Sequence, residues 1–175
     1  MNQKEIIQAK CGELKEIFVR HGIGVGEVGN FKNFQGYHEL YGARGITISE
    51  LFSYWSVNCA KEAEKFRKEN YTSRIIQLAG EMDIISKQLD SKTRAEISKS
   101  CKKLVFISGY LEKFIKKLED FAEVLKHDLA KGKNLEGLAE ERLPQLRKLA
   151  SEMERIGKMG DRIKESILFA VKNLK

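Results

Sequence analysis

The chain has 175 residues, 42% hydrophobic and 33% charged, with a formal net charge of +7, one proline and three cysteines. That length suffices for one domain with a core that needs neither disulfides nor metal. Scarce proline and clustered glycine argue against a sheet protein, which needs turn residues throughout, and no window approaches the roughly eighteen apolar residues of a membrane span.

The opening "MNQKEIIQAK" carries an early acid and no apolar run, so it does not read as a secretory leader. Ile7, Cys11, Leu14 and Phe18, with Ile17 widening the stripe, then recur at spacings of three and four, one face of a helix. His21 and Gly22 are suited to its C-terminal dipole and left-handed cap. Residues 22–46 follow, a segment holding seven of the chain's fourteen glycines. The next helix is signalled by Thr47 and Glu50, a T-x-x-E capping box with Ile46 and Leu51 as the staple across it. Its apolar face is Ile48, Phe52, Trp55, Cys59 and Phe66. The stripe weakens around "KENYTS" and resumes out of phase as Ile75, Leu78, Met82, Ile85 and Leu89, which reads as two helices or one bent helix.

Thr93 and Glu96 make a second capping-box pattern. Beyond it Ile97, Cys101, Leu104, Ser108, Leu111, Ile115, Leu118, Ala122, Leu125 and Leu129 alternate spacings of four and three, with Ser108 the single polar member. Ile107, Phe114 and Phe121 flank this seam, making it wider than a two-stranded coiled coil requires. Gly132 is suited to cap that helix and Asn134 to start the next. Pro144 predicts a short helical piece and a kink before a long helix. Its stripe is Leu146, Leu149, Met153, Ile156, Gly160, Ile163, Ile167, Ala170 and Leu174. Gly157 and Gly160 mark either a close helix approach or a bend. The expected fold is all-α: a single domain forming an elongated bundle of about five helices. Residues 93–130 and 134–174 form its long antiparallel hairpin, and the helices of 47–90 lie against it.

Gly24, Gly26 and Gly29 spell G-x-G-x-x-G, yet a dinucleotide fold needs that string after a strand and before a helix. Here it follows a helix, and the further kinase segments are missing, so it reads as a linker. Phe31, Phe34, Tyr37 and Tyr41 lie in the same stretch. They either lid one end of the core or dock on a partner or neighbouring subunit.

Cys11, Cys59 and Cys101 fall on apolar stripes of different helices, where free thiols act as small hydrophobes. Their odd count and lack of paired spacing point to a reduced, cytoplasmic setting. His21, His38 and His127 lack metal-ligand spacing, and no nucleophile motif occurs. No cofactor, metal site or enzymatic activity is therefore expected.

Charge geometry supplies the remaining candidate. The basic excess sits mainly after residue 100, with seventeen basic against twelve acidic side chains. Lys99, Lys102, Lys103, Lys113, Lys116 and Lys117 all fall opposite the seam of 97–129, with Phe106 and Tyr110 between the two lysine groups. Bracketed aromatics suit an acidic protein surface or phosphate contact with base stacking. Alternatively, another helix covers Phe106 and Tyr110 and the lysines are merely solvated; partial cover of Phe106 is the expectation. The leading expectation is a non-enzymatic protein–protein adaptor or assembly subunit, self-association included. The alternative is a nucleic-acid-binding subunit using the basic face of the C-terminal hairpin.

Overall fold

The computed structural model describes residues 1–18 and 45–174. These form five α-helices: α1 (Gln3–Phe18), α2 (Ile48–Lys68), α3 (Tyr71–Ser86), α4 (Ser91–Lys131) and α5 (Leu135–Val171). Among the described residues there is no strand, and the protein is an all-α bundle. Its described residues gather into two compact units. The first contains 1–18, 69–113 and 154–174; the second contains 45–68 and 114–153.

Helix ends follow capping chemistry. Asn2 and Glu5 form a reciprocal box at the start of α1, Glu5 N–H donating to Asn2 Oδ1 at 2.9 Å and Asn2 N–H to Glu5 Oε2 at 3.1 Å. Thr47 and Glu50 do the same for α2, at 3.2 and 3.3 Å. Asn70, in the left-handed region with φ 52°, separates α2 from α3, so the middle segment is two helices. Gly132 and Asn134 likewise have φ of 64° and 50° and break the chain between α4 and α5.

Two expectations are corrected. Thr93 does not cap α4. Asp90 does, accepting from Thr93 N–H at 3.0 Å and from the Thr93 hydroxyl at 2.7 Å, so the helix starts at Ser91. These bonds hold the Asp90 carboxyl below its usual range, the backbone bond from Thr93 contributing most. Nor does Pro144 divide the last segment: α5 runs unbroken from Leu135 to Val171 with Pro144 inside it. Pro144 has no N–H to donate to the carbonyl four residues earlier, on exposed Glu140.

In the second unit α2 packs Leu51, Phe52, Trp55, Cys59, Ala63 and Phe66 inward, the Phe52 and Trp55 rings 5.7 Å apart and tilted by 44°. Ser56 donates to the carbonyl of Ala122, and Arg67 pairs with Glu119 at 2.7 Å, joining α2 to α4. Arg142 of α5 pairs with buried Asp128 of α4 at 2.8 Å. The Asp128 hydrogen bond holds the guanidinium above its ordinary value.

In the first unit α1 lies against α3 through Glu13–Arg74 at 3.3 Å and a short Lys10–Glu81 pair. Lys4 Nζ donates to the carbonyls of Lys172 and Leu174, both at 3.0 Å, tying α1 to the turn that follows α5. A Cβ at Gly160 would clash with the Phe18 ring, and one at Gly157 would lie 3.4 Å from the Phe18 carbonyl oxygen. The two glycines therefore mark the close approach of α1 to α5. The buried face of α5 also carries Lys164 rather than only apolar residues. Its ammonium is bound by Asp161 at 2.8 Å and Glu165 at 3.1 Å, which hold it above its ordinary pKa.

Two stability outcomes follow. Gly160→Ala is expected to destabilise the fold in chemical denaturation, because overpacking costs about 1–3 kcal/mol against about 1 kcal/mol gained in helix propensity. Pro144→Ala, at an exposed helix-interior position, is expected to raise stability by up to about 3 kcal/mol.

Candidate interaction surface

The outer face of α4 divides where the two units divide. Lys99, Lys102, Lys103 and Lys113, in the first unit, are exposed, and among the described residues none of them has a carboxylate within ion-pair distance. Lys116 and Lys117, in the second unit, are both paired. Lys116 binds Asp120 one turn on at 2.8 Å, which raises its pKa, and Lys117 reaches Glu152 of α5 at 3.2 Å. Such exposed pairs contribute little stability, but they offset the charge a polyanion would need.

The aromatics separate too. Tyr110 is half-buried, with the Arg155 guanidinium 5.9 Å from its ring centroid. Phe106 is 70% exposed. The expected partial cover of Phe106 is thus corrected: no α5 side chain does for it what Arg155 does for Tyr110. A wide buried face explains why the ring is open. Ile107 and Leu104 already fill the core side of that turn, leaving Phe106 on the opposite side of the helix.

Depressions flank α4 on two sides within the first unit. On the α5 side a groove of about 930 Å³ is lined by Lys4 and Gln8 of α1, Lys99 and Lys103 of α4, Phe169 of α5 and Lys172 just beyond it; Glu96 and Glu165 lie in it as well. On the α3 side a crevice of about 360 Å³ runs between Ile76, Gly80 and Asp83 and the α4 residues Ser98, Lys102 and Val105. The groove places Lys99 and Lys103 beside Phe169, which is 75% exposed. Ile76, Ile84 and Val105 are exposed large apolar residues that the sequence reading omitted. Each lies out of phase with its helix's apolar stripe, as Phe169 does, and that misplacement was the available signal.

Phe31, Phe34, Tyr37, Tyr41, the G-x-G-x-x-G string, His21 and His38 lie outside the described residues. Cys11, Cys59 and Cys101 are free and buried. Burial pushes each thiol up to about 12, so negligible thiolate exists near neutrality. Among the described residues no three His, Cys, Asp or Glu side chains converge as a metal site requires, and no helix is long and apolar enough to cross a membrane.

Comparison of the chain with protein-family models, with curated proteins and with solved structures gives no match.

The thiol environment predicts that a thiol-specific reagent at neutral pH leaves Cys11, Cys59 and Cys101 unmodified in the folded protein and labels all three on denaturation. Rapid labelling of any of them under native conditions would contradict that placement.

Proposed function

We propose that the protein is a non-enzymatic contact module, an adaptor or assembly subunit, that engages a protein partner through the outer face of α4 in the first unit. One observation carries this reading: Ile76, Val105 and Phe106 are exposed beside lysines that have no carboxylate of their own among the described residues. Aliphatic side chains gain from covering by apolar protein surface and gain nothing from a phosphodiester backbone. Glu96 and Glu165 in the neighbouring groove also suit a mixed-charge protein surface better than a continuous polyanion track.

The nucleic-acid reading draws on Phe106 and the basic face around it. A bare ring among unpaired lysines is the arrangement on which single-stranded bases stack. Binding by that route releases counterions and falls steeply with salt.

The test is a pull-down from the native host with the bound fraction analysed for protein and nucleic acid, repeated with Phe106→Ala. The substitution is expected to change stability by no more than about 0.5 kcal/mol, as at ordinary surface sites, and to deplete a protein from the bound fraction. A bound fraction dominated by nucleic acid, released steeply by salt, would favour the second reading.

A further inference from the structure

The crevice between α3 and α4 has features that name an occupant more closely than the whole face does. Ile76 and Val105 line it at 49% and 47% exposure, while Gly80 and Ser98 keep it open; a Cβ at Gly80 would meet nothing within 4 Å. Lys102 lines it as well, and Phe106 and Lys113 continue the Lys102 face at spacings of four and seven along α4. Both walls are helices whose backbone groups are bonded internally. An extended segment laid there would bury N–H and C=O groups without partners. A helix brings its own bonds satisfied, and small residues in the crevice allow its side-chain ridge to settle between α3 and α4.

Charge selects between possible helices. Among the described residues Lys102 and Lys113 have no carboxylate partner, and Asp83 is the single acid among those that line the crevice. A second copy docked crevice to crevice across a two-fold axis would bring these lysines near their own equivalents, which like-charge repulsion disfavours. We infer that the crevice seats an amphipathic helix of an acidic partner protein, its apolar face covering Ile76, Val105 and Phe106 and its flanking carboxylates meeting Lys102 and Lys113. This rests on the protein-contact reading above and narrows it to one occupant.

The experiment titrates the full-length protein into a fluorescent synthetic peptide that folds as an amphipathic helix with a leucine face flanked by glutamates. A lysine-flanked counterpart serves as control. Two variants accompany the wild type: Gly80→Trp, which fills the open crevice, and Lys102→Glu, an exposed charge reversal that keeps the test intact if the tryptophan disturbs folding. The glutamate-flanked peptide is expected to bind, its lysine-flanked counterpart not, and each variant to weaken binding about tenfold or more, as loss of a central contact does, at unchanged melting temperature. Three results overturn the inference: no binding of the glutamate-flanked peptide to wild type, equal binding by wild type and variants, or equal binding of the two peptides. A dimer in sedimentation that Gly80→Trp dissolves also overturns it, assigning the crevice to a second copy. If the crevice variants are silent but Phe106→Ala still depletes a protein from the pull-down, the helix site fails and the protein-contact reading stands. Competition at Phe106 by a single-stranded oligonucleotide and not by peptide removes both.

Discussion

The apolar stripe of α4 is the constraint on which the other helices depend. A helix of 41 residues gains most of its stability from tertiary burial of such a stripe, not from propensity. Here the stripe is broadened by Ile107, Phe114 and Phe121, all buried, so one partner helix cannot cover it. In the second unit α5 takes one side and α2 the other, with Phe52 and Trp55 wholly inside. In the first unit α1 and α3 supply the additional cover, carrying Ile7, Leu14, Ile75 and Met82 at zero exposure. Ser108, the polar member of the stripe, is tolerated because its hydroxyl donates to the Val105 carbonyl at 2.7 Å. Buried Asp128 and Lys164 on the hairpin have comparable local answers, Arg142 for the first and two carboxylates for the second.

What was legible in the sequence was the periodicity and the punctuation that agreed with it. The seam from Ile97 to Leu125 is buried throughout, and the Thr47–Glu50 box and the Gly132 break are where the residue types place them. The misreadings have a common cause: two local rules competed and sequence could not weigh them. Thr93–Glu96 and Asp90–Thr93 are overlapping cap patterns, and the Asp90 carboxylate prevails because it accepts two bonds from Thr93. Pro144 carries a strong local penalty, yet the burial of Leu143 and Leu146 on either side of it holds the helix together across it. The buried Lys164 was hidden because its stem and its head obey different rules, the stem following the apolar face and the head following Asp161 and Glu165.

The same limit governed the surface. Spacing alone puts six lysines on one side of α4 and makes the Lys116–Asp120 pair readable as neighbours one turn apart. It cannot show that Lys117 is met by Glu152, thirty-five residues away. Nor can it show that Arg155 rests on Tyr110 while Phe106 is left bare. Cover from another helix is a tertiary fact. Together with the Lys116–Asp120 pair inside α4, it divides an apparently uniform basic stripe into a half unpaired among the described residues in the first unit and a paired half in the second.

Single exposed apolar residues are common and need no explanation, so the case for a binding surface rests on their company. Val124, on the second-unit part of α4, lines a depression of about 340 Å³ together with Lys117, Asp120, Lys148 and Glu152, whose charges are balanced. Nothing there selects a partner by charge. Val105 and Phe106 differ because they adjoin an open crevice and, among the described residues, unpaired cations at once. Leaving a side chain such as Phe106 in water forgoes roughly 1.5–3 kcal/mol that burial would return. On the proposed reading, a surface that combines this unspent burial with Lys102 and Lys113, against the one carboxylate of Asp83, discriminates as well as attracts: apolar area supplies affinity, and the lysines disfavour a basic competitor. The tyrosine under Arg155 and the lysines matched by Asp120 and Glu152 have already used those interactions within the chain. The recognition proposed for α4 is therefore assigned to the first unit, although the sequence pattern that drew attention to it runs through both.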